Sequence, residues 1–283
     1  MHNLFDEPLL SRTRFVIVTD GSQAITRGIG AFISTARIYL PKSFLNQLTI
    51  LCPNTEFQKQ LLKWFKDYVN EILVVTRNIP GNDKYAVKFM LLEYAKKNLS
   101  SKDILVYLDY DHIFFGPPQI EAPMKGNLIL SSECHPSENI YRLGRQLPEL
   151  ALLKGIHYSN SLIIAYRDDF LMSTEQWIDI YHKIDVYIHK RFREEISFSA
   201  AVSSNGYRIQ TAPTKQYGGW HLTRLPNIFH YGGVSNPASL LKTFLENGKF
   251  SAKKTGPLVP LICRIIQQGL KSINCADLLI HNA

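Results

Sequence analysis

Over roughly its first 110 residues the chain alternates short apolar runs with amphipathic stretches, and few packings other than a parallel sheet with helical crossovers satisfy that alternation. Arg14-Phe-Val-Ile-Val reads as a buried strand ending in the polar turn Thr19-Asp20-Gly21-Ser22, and a helix runs through Gly30 to Tyr39. Leu48 to Leu51 is a second strand, closed by Cys52-Pro53-Asn54. Phe57, Leu61, Phe65 and Val69 recur every four residues, the apolar stripe of a helix laid on a sheet. Glu71 to Thr76 gives a third strand, Pro80-Gly81-Asn82-Asp83 a turn, Lys84 to Lys97 a helix and Ile104 to Leu108 a fourth strand. The fold class is therefore α/β, with a Rossmann-like, mostly parallel sheet flanked by helices. Strands at Leu128 to Ser132 and Tyr158 to Tyr166, a long helix from about Ser173 to His189, and short strands from Gly206 onward predict a mixed C-terminal part.

The chain of 283 residues exceeds a typical single domain, but α/β units of ~250 residues are ordinary, so one domain over residues 1–240 is expected, with a helical extension over 241–283. The net charge of +8 is spread along the sequence without a long basic block or a nucleic-acid-binding motif, so no nucleic acid partner is expected. Cys52, Cys134, Cys263 and Cys275 lie far apart with no Cys-x-x-Cys pair, which argues against a zinc site and a disulfide framework. Met1 to Arg14 carries Asp6, Glu7 and Pro8 where a signal peptide needs an apolar stretch, and no run of ~18 apolar residues follows. A cytoplasmic protein is the expectation, though a lumenal form with a removed anchor is also compatible. Leu258, Leu261, Ile262, Ile265, Ile266 and Ile273 share one helical face opposite Arg264, Gln267, Gln268 and Lys271. That terminal amphipathic helix, preceded by Lys249, Lys253 and Lys254, suits either a core-covering role or peripheral contact with the inner face of a membrane.

The fourth strand ends in Asp109-Tyr110-Asp111. Side chains two apart on extended backbone point the same way, so both carboxylates can face one divalent cation and, through it, a diphosphate. Three further segments suit the same chemistry. In Phe229-His230-Tyr231-Gly232-Gly233 an imidazole beside flexible glycines can join a metal shell. Tyr158-Ser159-Asn160-Ser161 sets short hydrogen-bonding groups before a buried strand, where they can read sugar hydroxyls. Arg193-Glu194-Glu195 brings two adjacent acids after a long helix, at an exposed helix end or facing a reaction centre.

In this order, over about Phe15 to Pro237, the segments resemble a GT-A glycosyltransferase, most similar to the glycogenin-like, galactosyltransferase-type retaining families. The resemblance implies a donor-binding half over about 14–115 and an acceptor and catalytic half over about 116–240. It implies Mn2+ or Mg2+ on Asp109, Asp111 and His230, and nucleotide contacts from Thr19, Asp20, Gly21, Lys84, Lys88 and Tyr110. Donor sugar and acceptor fall to Asn160, Ser161, Trp220, His221 and Gly233, and Glu194 or Glu195 sits at the anomeric carbon. The closing motif departs from the family: His230-x-x-Gly233 is followed by Asn236-Pro237-Ala238 where the family has Lys-Pro-Trp. The missing diphosphate lysine leaves Lys84, Lys88 and Arg27 as substitutes. Leu162 replaces the glycine of an Asn-Ser-Gly motif, and the first loop lacks the tyrosine that often stacks on uracil.

The implied activity is transfer of a sugar from a nucleoside-diphosphate sugar, a UDP-sugar by the resemblance, to a glycan or protein hydroxyl with retained configuration. Two alternatives compete. Haloacid-dehalogenase-type phosphatases also place Asp-x-Asp after an apolar strand and would use Asp109 as nucleophile, but they need a hydroxyl where this chain has Ile113. A non-catalytic nucleotide- or carbohydrate-binding scaffold is the other, against which intact Asp109, Asp111 and His230 argue.

Overall fold

The structure is a computed structural model that describes residues 3–76, 84–132, 134–147, 155–184, 190–218 and 226–230, with Arg264, Gln268 and Lys271 beyond them. After a short α1 (Glu7–Leu10), β1 (Thr13–Val18) sends Phe15 and Ile17 into one core and Val16 and Val18 into another. A strand buried on both faces in this way needs covering layers on each side. α2 (Gln23–Tyr39) begins at Ser22, whose hydroxyl accepts from the Ile25 amide at 3.4 Å. α3 (Lys42–Leu45) leads into β2 (Leu48–Cys52). α4 (Thr55–Phe65) is capped by the Asn54 side chain, which accepts from the Phe57 amide at 3.0 Å, and it ends short of Val69. β3 (Glu71–Val74) follows. The predicted helix over 84–97 is a 3₁₀ segment, Lys84–Phe89, that relaxes into α5 (Met90–Asn98).

β4 (Ile104–Leu108), β5 (His112–Phe114) and β6 (Asn127–Leu130) precede a small excursion of β7 (Cys134–Pro136), α6 (Glu138–Gln146) and β8 (Ile156–Tyr158). β9 (Leu162–Tyr166), α7 (Arg167–Ser173), α8 (Trp177–Lys183), α9 (Lys190–Ser204), β10 (Arg208–Thr211), β11 (Tyr217–Gly218) and β12 (Ile228–His230) complete the described chain. Seven strands form the main sheet in the order β10-β6-β9-β4-β1-β2-β3, parallel except for β9, which runs against both neighbours. Phe15, Phe32, Phe44 and Phe114 fill one core, and Trp177, Phe198, Phe89 and Tyr181 the other.

Two expectations are corrected. The single strand expected over Tyr158 to Tyr166 breaks at Ser159-Asn160-Ser161, because β8 pairs with β7 while β9 pairs with β4 and β6, and the chain must change sheets between them. The helix expected from about Ser173 to His189 starts later, as α8 at Trp177, because α7 ends at Ser173, and residues 185–189 of that expectation lie outside the described residues. At the end of α7 the Ser173 and Thr174 hydroxyls donate to the Phe170 carbonyl at 3.0 and 2.6 Å, competing with the next helical turn. Glu194 and Glu195 lie inside α9 and not after a helix; Glu194 is 4% exposed. Arg264, Gln268 and Lys271 are helical and exposed, as the polar face of the terminal helix requires, while its apolar face lies outside the described residues.

At the end of β1, Gly21 takes a left-handed φ of +84°, and a Cβ there would sit 2.1 Å from the Phe57 ring. Gly21→Ala is therefore expected to destabilise by at least ~2 kcal/mol, combining backbone strain with a steric clash, as read by urea denaturation. A change below ~0.5 kcal/mol would mean that this turn relaxes freely.

Candidate active site

Strand direction assembles the site. β1 and β4 run parallel, so the residues after each, Thr19 and Asp109, emerge at the same sheet edge. β9 runs antiparallel to β4 with Leu108 opposite Leu162, which brings the residues before it, Asn160 and Ser161, to that edge as well. The Asp109 amide donates to the Ser161 carbonyl at 3.0 Å. After Asp109 the backbone turns through Tyr110 and Asp111 into β5, so the Asp-x-Asp is a turn and not extended strand. Its carboxylates still converge, because β12 pairs antiparallel with β5 and sets His230 opposite His112.

Asp109, Asp111 and His230 each offer a ligand atom within 4.8 Å of the others. The His230 Nε2 lies 3.3 Å from Asp111 Oδ1, and the His230 ring stacks on His112 at 4.8 Å. Asp111 Oδ1 is buried yet accepts no well-aligned hydrogen bond, an orphaned anionic acceptor. Two carboxylates and an imidazole form a donor set that could hold a divalent cation. Burial pushes Asp111 up, but the attraction of the nearby His230 outweighs that and holds it at about 2. Burial and the neighbouring Asp111 raise Asp109 against the pull of Lys88.

A second cluster adjoins this one. The Lys88 Nζ donates to Asp109 Oδ2 at 3.1 Å and to Asn160 Oδ1 at 2.7 Å, and lies 3.8 Å from Glu194 Oε2. Burial opposes its charge, but Asp109, Glu194 and Glu195 more than compensate and raise its pKa, so it stays a cation. The Asn160 amide in turn donates to Glu194 Oε1 at 2.6 Å, and the Trp177 indole donates to the Glu194 carbonyl at 3.1 Å. Burial raises the Glu194 carboxyl to about 8, while the opposing pull of Lys88 is smaller. Glu195, one residue on, pairs with His157 Nε2 at 3.2 Å. Its own burial would raise it, but hydrogen bonding and charge from His157 bring it down to about 2.

Ionised Glu195 thus belongs to the folded chain, which binds fewer protons than the unfolded chain between about 2 and its ordinary 4.5. Its stabilisation is complete above that upper value and is lost as pH falls through the lower one. The stability difference between wild type and Glu195→Gln, followed by urea denaturation from pH 6 down, is expected to shrink below pH ~4.5. A constant difference would mean that Glu195 titrates alike in both states.

Several predicted residues are placed within these clusters. Asn160 and Ser161 are buried, and their side chains face protein partners. The Ser161 hydroxyl meets Tyr217 Oη at 2.7 Å and Ser159 Oγ at 3.0 Å. Thr19 Oγ1 accepts from the Gly21 amide at 2.9 Å, and Asp20 Oδ1 from the Ser22 amide at 2.7 Å, which shapes the first loop. Tyr110 packs over Gly28, where a Cβ would sit 2.4 Å from its ring. Trp220, His221, Gly233 and Asn236 lie outside the described residues, as do the side chains of Lys84 and Arg27.

The structure also recruits residues to which the sequence assigned no role. Tyr107, two residues before Asp109, donates its hydroxyl to Asp109 Oδ1. His112 Nδ1 donates to the Asp109 carbonyl at 2.5 Å, and its Nε2 meets Tyr217 Oη at 2.7 Å. Period-two alternation along β4 was a usable signal for Tyr107. Tyr217 and His157 carried none, because their positions depend on pairing between distant strands.

Comparison with known proteins places this geometry in a fold class. No family model matches the chain, and no curated protein matches it by sequence. Among solved structures, galactosyltransferase LgtC in complex with donor and acceptor sugar analogues aligns over 90% of this chain and 95% of its own, with TM-score 0.53 and 12% identity. An active-site mutant of LgtC aligns over the same shares with TM-score 0.55 and 11% identity. The chain has the GT-A, Rossmann-like fold, and these structural neighbours are glycosyltransferases.

Proposed function

We propose that the protein is a metal-dependent hexosyltransferase. It moves a sugar from a nucleoside-diphosphate sugar, a UDP-sugar in this reading, to a hydroxyl of a glycan or protein, with retention of configuration. The observation that carries the proposal is the convergence of Asp109, Asp111 and His230 at the sheet edge, beside the buried Lys88, Asn160 and Glu194 cluster. Asp109, Asp111 and His230 would hold Mn2+ or Mg2+, which when bound neutralises the charge of a departing diphosphate.

The chain's own residues supply the remaining work. Lys88 fixes the orientation of Asp109 and keeps Asn160 turned towards Glu194. Tyr107 and His112 fasten the Asp109 carboxylate and carbonyl from two sides. In the reaction the bond between the anomeric carbon and the diphosphate oxygen breaks, and its electron pair leaves with the diphosphate. The acceptor oxygen bonds to the anomeric carbon from the same side and passes its proton to the departing diphosphate. A carboxylate of the Glu194-Glu195 pair opposes the positive charge that develops on the sugar.

The test is calorimetric binding of UDP, GDP, CDP and their common sugar conjugates, with and without manganese, to wild type and Asp111→Ala. Manganese-dependent binding of one nucleotide class, lost in the variant, is the expected outcome. Binding of none of them overturns the proposal. The anomeric configuration of the first product, read by proton NMR, tests retention separately: an α-donor yielding a β-linkage would refute it.

A further inference from the structure

Glu194 and Glu195 are adjacent in sequence but differ in every structural respect. The Glu194 side chain is 5% exposed and both its carboxylate oxygens face protein groups, Oε1 the Asn160 amide at 2.6 Å and Oε2 the Lys88 ammonium at 3.8 Å. Its backbone carbonyl is taken by the Trp177 indole and by the Ser197 hydroxyl at 2.8 Å. Nothing in that arrangement leaves it a face towards a substrate. The Glu195 side chain is 28% exposed; His157 Nε2 lies 3.2 Å from its Oε2, and the Ser159 hydroxyl also hydrogen-bonds the carboxylate. His157 sits in β8, which packs against α9, and the Ser199 hydroxyl ties the two elements together by accepting from the Tyr158 amide at 2.9 Å and donating to the Tyr158 carbonyl at 3.0 Å. The charged and polar groups around Glu195 are His157, Lys88, Ser159 and Glu194.

We infer that His157 is a positioning residue that holds Glu195 as the acting carboxylate, while Glu194 is a structural strut between Lys88, Asn160 and Trp177. The inference rests on the transferase reading and deepens it by choosing between the two acids. The His157 Nε2, 3.2 Å from Oε2, and the Ser159 hydroxyl hold the side-chain rotamer, and the solvent-facing part of the Glu195 carboxylate opposes charge on the sugar. The depressed ionisation of Glu195 agrees with this division, as does the raised value of Glu194. Glu195 makes no bond to the sugar in this scheme and transfers no proton; its contribution is electrostatic.

The experiment compares wild type, Glu194→Gln, Glu195→Gln, His157→Ala and His157→Gln. Manganese-dependent binding of UDP-, GDP- and CDP-sugars is measured by calorimetry, and donor turnover, including hydrolysis to the free sugar, as a function of pH. Glu195→Gln is expected to keep donor affinity within ~3-fold and to lose ~10² to 10³-fold in kcat, the range for removal of one electrostatic stabiliser. His157→Ala is expected to lose ~10-fold or more in kcat with KM unchanged, and to gain an acid limb as Glu195 returns towards its ordinary range. His157→Gln, whose amide can offer a donor near Oε2, recovers most of that rate. Glu194→Gln is expected to act mainly through thermal stability. A normal kcat in Glu195→Gln, or His157→Ala with unchanged rate and pH profile, overturns the inference while leaving the transferase reading in place. Wild type that binds no nucleotide-sugar overturns both.

Discussion

Asp111→Ala is expected to leave the protein folded and to cut metal-dependent turnover at least ~10³-fold, because a Lewis acid at a departing diphosphate contributes several kcal/mol of barrier lowering. The fold should tolerate the change. Asp111 Oδ1 faces the His230 ring, and the Asp111 charge raises its neighbour Asp109, so the loss of the His230 attraction is offset in part by relief of repulsion between two half-buried anions. The variant should unfold near the wild-type temperature while its manganese-dependent nucleotide binding is lost in calorimetry. Asp109→Ala is a harsher change, since it also removes partners of Lys88 and Tyr107 and should cost stability as well as activity. An Asp111→Ala protein that retains manganese-dependent binding would remove the metal centre from Asp109, Asp111 and His230.

Lys88→Ala is expected to cost about 3 to 5 kcal/mol of stability, the range for removing one partner of a buried ion pair. The ammonium faces Asp109 and Glu194 and also holds the Asn160 carbonyl, so its loss leaves two carboxylates and an amide oxygen in a largely dry setting. Lys88→Arg is expected to recover little, because a planar guanidinium needs more room than an ammonium set between three partners. Adding Glu194→Gln to Lys88→Ala should change stability little near neutral pH, because the Glu194 carboxyl, raised to about 8 even beside the ammonium, is protonated once the ammonium is gone; urea denaturation in a double-mutant cycle reads this coupling. A Lys88→Ala cost below ~1 kcal/mol would mean that water reaches the cluster and screens it.

His157 shows why parts of the site were illegible beforehand. In sequence it is a lone histidine before a strand, and nothing local links it to a carboxylate 38 positions on, His157 to Glu195. Only the packing of β8 on α9 brings them together. Tyr217 is similar, a tyrosine in a two-residue strand whose hydroxyl reaches His112 and Ser161 through a separate three-stranded sheet. The break at Ser159-Asn160-Ser161 was hidden for another reason. Strand propensity is a local property, whereas the change of sheet is set by which partner strand is free to pair.

The alternation of apolar strands and helical stripes, by itself, determined a mostly parallel α/β sheet, because each buried strand and each amphipathic helix has one economical way to hide its apolar surface. The residue types after β4, before β9 and at His230 likewise carried the chemistry of a candidate metal and sugar site. Tertiary structure alone decided which of them meet. The antiparallel course of β9 brings Asn160 to Lys88, the pairing of β12 with β5 brings His230 to Asp111, and burial inside α9 separates Glu194 from Glu195. Those outcomes depend on long-range strand order and on desolvation, two quantities that arise only when distant segments share one interior.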